Sequence, residues 1–179
     1  MSDYKTNDYK IFELFRKQWA LVTAGTVDNY NSCTVSWGSM GTIWTRPANT
    51  DGSIITVYIH PARYTLDFMK NSDTFTVSFF SEDYHNALGY MGSHSGRNED
   101  KAANAGLTPV AINNSTTFKE ATTTFVCRKL YQHQFAKEDI HQDIQNHYIG
   151  KPQSFPPDED GNWQPHWMFI GEIIEVQEN

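Results

Sequence analysis

An antiparallel β-barrel with a few peripheral helices is the fold class that this 179-residue sequence predicts. Strand-type runs rich in β-branched and aromatic residues recur at Trp19 to Thr23, Thr34 to Trp37, Ile54 to Ile59, Thr74 to Phe80, Ala121 to Phe135 and Trp167 to Val176. Helical periodicity is confined to brief segments between them, too few for the repeated crossovers of a doubly wound sheet. The strands are mostly joined by short connections, and the sequence contains no internal repeat.

In chain order, a short amphipathic helix is expected over about Tyr9 to Arg16. The first two strands, with a turn built from Asp28-Asn29-Tyr30-Asn31, read as a hairpin opening the barrel. The Ile54 to Ile59 run leads into His60-Pro61-Ala62-Arg63-Tyr64-Thr65 and then a helical pattern of Leu66, Phe68 and Met69, with Thr65 as the expected N-cap. Further helices are expected over Glu82 to Tyr90 and Asn98 to Asn104. The polar segment from Ala136 to Trp163 contains Lys151-Pro152, Pro156-Pro157 and Asp158-Glu159-Asp160-Gly161, and reads as a helix followed by a surface excursion. Such length is unusual for a plain connection and marks functional or contact segments. Residues 1–179 are read as a single domain.

Composition removes several function classes. A net charge of −7, with no run of cations, argues against nucleic acid as a main partner. The N-terminal residues Met1 to Asp8 lack a basic and an apolar leader region, and no window approaches the roughly 20 apolar residues of a spanning helix, so a cytoplasmic protein without membrane attachment is expected. Cys33 and Cys127 lie in strand-type runs without metal-ligand spacing and read as buried free thiols; no metal site is expected. The 14% aromatic content suits a β-rich core and stacking on a flat ligand equally well.

The chemistry concentrates in Gly92-Ser93-His94-Ser95-Gly96-Arg97-Asn98-Glu99-Asp100-Lys101. The glycines permit conformations that expose successive N–H groups, Ser93 and Ser95 add donors, and Arg97 and Lys101 supply charge beside a helix start, a combination that binds phosphate. Arg63, at the other strand-to-helix junction, aims its planar fork at the same kind of ligand, so two loops could hold one anion. Asp100 either orients one of these cations or caps the following helix. Each of these residues has an ordinary structural reading as a turn, a cap or a solvated charge.

With Asn31-Ser32-Cys33-Thr34-Val35-Ser36-Trp37, Arg63-Tyr64-Thr65 and the Gly92 to Lys101 loop in this order, and His166-Trp167-Met168-Phe169-Ile170-Gly171-Glu172-Ile173 as a closing strand, the chain resembles the flavin reductase-like proteins with an FMN-binding split β-barrel, closest to their flavoredoxin-like branch. The resemblance implies a Greek-key-like antiparallel split barrel. It places Thr34, Ser36, Trp37 and Gly38 along a flavin ring, and Arg63, Tyr64, Thr65, Ser93, Ser95, Gly96, Arg97 and Lys101 at the FMN phosphate. His166 resembles a histidine near the flavin and is the one candidate for assisting a proton transfer. Trp37 reads equally as core and His166 as a hydrogen-bonded strand-start residue; Trp44, His60 and His133 have weaker claims.

The resemblance further implies an NAD(P)H:flavin oxidoreductase, with NAD(P)H as reductant and a homodimer in which the second subunit covers part of the ring. No Gly-x-Gly-x-x-Gly follows a strand, so any nicotinamide would bind over the flavin rather than on its own domain. The alternative expectation is a flavoredoxin-like electron carrier that exchanges electrons with redox protein partners and does not turn over nicotinamide.

Overall fold

The computed structural model describes residues 4–179; the first three residues of the N-terminal stretch lie outside the described residues. A seven-stranded antiparallel sheet is built from β1 (Ala20–Thr26), β2 (Asn29–Val35), β3 (Gly38–Thr42), β4 (Ser53–Ile59), β5 (Thr74–Phe79), β8 (Thr123–Gln134) and β9 (Trp167–Glu178). Its strand order is β2-β1-β5-β8-β9-β4-β3. A separate hairpin pairs β6 (Pro109–Ile112) with β7 (Ser115–Phe118). The helices are α1 (Ile11–Glu13), continued by a π turn over Leu14–Gln18, then α2 (Thr65–Asn71), α3 (His85–Ser93), α4 (Lys101–Asn104) and α5 (Gln142–Ile149).

The sheet is covered on both faces, which is why several strands read as continuous apolar runs instead of alternating ones. In β1 every residue from Ala20 to Ala24 is buried. Because successive strand side chains point to opposite faces, Val22 and Ala24 join Val57, Phe75, Val77, Phe125 and Phe169 in the principal core, while Leu21 joins Phe80, Leu88, Met91, Leu107 and Phe118 in a second one. Thr116 and Thr117 of β7 tie the hairpin to the sheet: Thr76 donates to the Thr116 carbonyl, and Ser78, Thr117 and Thr124 share their hydroxyls within 3.1 Å.

Most expected elements are present, with five differences. The first turn occupies Val27 and Asp28, so Asn29 to Asn31 belong to β2 and Asn31 is buried. Thr65 is the first residue of α2, not its cap; its hydroxyl donates to Asn31 Oδ1 at 2.7 Å. The helix expected from Asn98 begins only at Lys101, capped by Asp100, whose Oδ1 accepts from the Ala103 N–H at 3.1 Å. Strand β3 and the β6–β7 hairpin were not anticipated.

The sheet's two edge strands, β2 and β3, are neighbours in sequence. Residues 36 and 37 therefore cross the seam where the barrel stays open, and each edge strand leaves one row of backbone N–H and C=O groups unclaimed by a neighbouring strand. Among the described residues no helix is long and apolar enough to cross a membrane. Both cysteines are free and buried, as expected.

Candidate functional site

Two adjoining cavities open in this seam, and both are walled by Cys33 and Arg63. The smaller, about 70 Å³, is a notch lined by Ala62, Tyr64, Thr65, Gly92, Ser93, His94, Ser95 and Lys101 as well. The larger, about 140 Å³, is bounded by Thr34, Ser36, Trp37, Tyr58, His60, Phe155 and His166. The β4-to-α2 junction supplies Arg63 to Thr65, the α3-to-α4 loop supplies the notch's other wall, and β2 forms the floor between them.

The notch holds two cations that form no ion pair among the described residues. Lys101 is only 6% exposed. Its Nζ donates to the carbonyls of Met91 at 3.0 Å and His94 at 3.3 Å, while burial, with Arg63 nearby, pulls its pKa below the usual lysine value. Arg63 is half-buried and donates from Nη1 to the Gly92 carbonyl at 2.8 Å. A buried ammonium satisfied only by neutral carbonyls is costly unless an anion completes the site, and the notch lies against both groups.

Thr65, Ser93, Ser95 and Tyr64 also line the notch. Ser93, however, donates to the Gly89 carbonyl at 2.9 Å, and Ser95 Oγ accepts from the Arg97 N–H at 3.3 Å. Arg97 itself stands outside. Its guanidinium lies 4.3 Å from the centre of the Tyr64 ring and pairs with Asp67 at 3.0 Å, in an exposed position. Gly92 and Gly96 are not among the positive-φ glycines, which are Gly25, Gly52, Gly106 and Gly161. Gly96 is needed for contact instead: a Cβ there would sit 2.0 Å from Asn31 Nδ2. Asn31, which sequence reasoning placed in a turn, thus joins the loop to α2 by touching Gly96 and accepting from Thr65.

At the wider end, Thr34 donates to the Leu88 carbonyl at 2.5 Å and fastens β2 to α3. Gly38 lies against the Phe15 ring, where a Cβ would meet ring carbons at 2.3 Å, and does not line either cavity. Trp37 joins an aromatic cluster: its ring centroid is 4.8 Å from His166 and 6.1 Å from the stacked ring of Phe155. Tyr148 and Phe155 come from the long excursion, which folds back over its own subunit's seam; nothing in the sequence pattern marked Phe155. His60 lies 5.1 Å from His166, centroid to centroid. Burial, then Arg63, lowers the His60 pKa to about 4; burial, then His60 and Arg63, lowers that of His166 to about 3. Both imidazoles are neutral near pH 7, so His166 can exchange hydrogen bonds but does not store a proton. His60 Nδ1 accepts from the Ala62 N–H at 3.1 Å, which puts the proton on Nε2, a buried atom on the side of the Gln164 backbone. Trp44 and His133 are not in this cluster: Trp44 is half exposed beside Tyr131, and His133 faces outward on β8.

Residues 12–179 match the family model described as the flavin reductase like domain. The chain belongs to that family. No curated protein sequence matches it. Among solved structures, the split-barrel fold of the family is shared by an FMN-binding protein from Thermus thermophilus, with TM-score 0.65, 19% identity, and coverage of 90% of this chain and 71% of that one. It is shared as well by the flavoredoxin of Desulfovibrio vulgaris (Miyazaki F), with TM-score 0.63, 23% identity, and coverage of 90% and 69%. The flavoredoxin of Methanosarcina acetivorans matches with TM-score 0.65, 17% identity, and coverage of 90% and 68%.

Proposed function

We propose that the seam binds FMN, with the phosphate in the notch between Arg63 and Lys101 and the ring at the Trp37 end, and that the protein is an NAD(P)H:flavin oxidoreductase. The observation that carries this reading is the pair of ion-pair-free cations, one of them buried, on a phosphate-sized cavity that continues into an aromatic end. Membership of the flavin reductase-like family supports it. Bound FMN would supply hydride acceptance and electron transfer. The chain's own work is to neutralise the phosphate, to offer backbone groups of residues 34–37 to the ring's polar edge, and to keep two neutral imidazoles beside it. Thr34, Ser36, Tyr64, Thr65, Ser93 and Ser95 serve as neutral contacts, and Arg97 acts by holding Tyr64 rather than touching the phosphate.

The wider cavity takes only part of a three-ring system while Phe155 stacks on Trp37, so the rest of the ring lies outside it or Phe155 turns away. That crowding favours a second reading, an FMN electron carrier with redox protein partners. Absorbance in the flavin bands that survives desalting tests FMN binding; protein that stays colourless after incubation with FMN refutes it. Stopped-flow mixing with NADH and NADPH then separates the two functions, because rapid bleaching is expected of a reductase and none of a carrier. We read residues 1–179 as one domain of a cytoplasmic homodimer without nucleic-acid or membrane partners, which equilibrium sedimentation and cell fractionation check.

A further inference from the structure

A third cavity, of about 330 Å³, lies beside the ring end and shares Trp37, Tyr58 and His166 with it. Its other walls are Phe135, Ile140, Ile144, Tyr148, Trp163 and Pro165, so the excursion between β8 and β9 builds most of it. Among the described residues no lysine, arginine or carboxylate lines it. Trp163 is 7% exposed, and its indole N–H is buried without an acceptor among the described residues. These features distinguish the chamber from the cationic notch and define what it suits: a ring compound of one or two rings, uncharged, with an oxygen able to accept one hydrogen bond.

We propose that this chamber receives the electron acceptor, and that the acceptor is a flat, uncharged carbonyl compound of quinone size rather than a free flavin phosphate. The proposal rests on the FMN reading above. In the overall reaction the quinone gains two electrons and two protons, its two carbonyls becoming hydroxyls. NAD(P)H, oxidised to NAD(P)⁺, supplies the hydride, and solvent supplies the remaining proton. Trp37 and His166, common to both cavities, form the shared wall.

Calorimetric titration of the FMN-containing protein with the two-ring quinone menadione tests this, with a sulfonated naphthoquinone as the anionic control and FMN absorbance recorded on the same samples. Menadione is expected to bind and the sulfonate at least about tenfold more weakly. Ile144→Asp, at a half-exposed position on α5 where folding should tolerate a charge, is expected to weaken menadione binding about tenfold or more while FMN is retained. Tyr148→Ala serves as a second variant with the same expectation. Equal affinity for the two quinones, an unchanged affinity in both variants, or no menadione binding by protein that retains FMN overturns the proposal. Wild-type protein that fails to retain FMN refutes the cofactor reading instead, and menadione binding to that protein then stands against a flavin-dependent role for the chamber.

Discussion

Replacing Lys101 by Met should separate binding from stability if, as proposed, the ammonium is buried to meet the FMN phosphate. The substitution nearly preserves volume. Removing the charge relieves a desolvation cost of several kcal/mol per buried ion, against which the Met91 and His94 carbonyls lose their donor, at about 1–3 kcal/mol for each group left buried and unsatisfied. The two effects oppose, so the flavin-free variant should unfold within about 2 kcal/mol of wild type in urea. FMN binding, by contrast, loses a charge-assisted hydrogen bond of about 1.5–3 kcal/mol, which weakens Kd about tenfold to a hundredfold. Quenching of flavin fluorescence on titration gives Kd, and riboflavin, which lacks the phosphate, should bind wild type and variant alike. An equal loss of riboflavin affinity, or an unchanged FMN Kd, would refute the assignment of Lys101 to the phosphate. Because burial lowers the folded-state pKa of Lys101, the unfolded chain holds that proton more tightly; the flavin-free protein should gain stability as pH rises toward the ordinary lysine range, and Lys101→Met should lose that gain.

Arg97→Ala, which removes a guanidinium that stands outside the notch, should weaken FMN by less than about threefold, clearly less than Lys101→Met; the titration above reports it. Gly96→Ala should push Asn31 away from the loop and break its bond to Thr65, costing about 1–3 kcal/mol in urea unfolding and weakening FMN binding together. On acidification from pH 6.5 to 4, His166 stays neutral in the fold and His60 begins to charge only as its pKa of about 4 is reached, while both charge in the unfolded chain, so stability should fall by roughly 5 kcal/mol, and His166→Gln should remove about half of that loss. Glu172, 4% exposed, accepts from both Arg46 and Arg128; Arg46→Ala with Arg128→Ala should cost about 3–5 kcal/mol by leaving the carboxylate unpaired, and adding Glu172→Gln should recover much of it by the same chemical-denaturation measurement.

The long strands were legible because burial on both faces requires uninterrupted apolar and β-branched residues, as in Ile54 to Ile59. Strand β3 was not, since Gly38-Ser39-Met40-Gly41-Thr42 carries two glycines and little apolar surface and is held by its pairing with β4. The β6–β7 hairpin hid behind threonines whose hydroxyls are bonded within the second core. Its turn had a signal, Asn113-Asn114, both left-handed at φ 40° and 55°, as a two-residue hairpin turn with positive φ requires. For the site, residue types pointed to the two loops, and Arg63 and Lys101 do meet on one cavity. What the pattern could not say is which cation is already paired: Asp67 claims Arg97 from α2, a tertiary fact. The fold-back of Tyr148, Phe155 and Trp163 is equally a matter of three-dimensional packing, with no spacing to betray it.

Strand order also sets when this seam comes into being. β3 and β4 form a local hairpin, yet β4 is tied to the rest of the sheet only through β9, with Ile54 opposite Glu172 and Ile59 opposite Trp167. Closing so long a loop is slow relative to local pairing. Through the sheet, the floor of the notch on β2 and the His60-to-Arg63 wall after β4 are connected by strand pairing only by way of β9, while residues 36 and 37 and the Thr65–Asn31 hydrogen bond join them locally. Insertion of β9 is thus expected to be a late step that completes the seam, and if the seam takes FMN as proposed, a flavin added during refolding should report it.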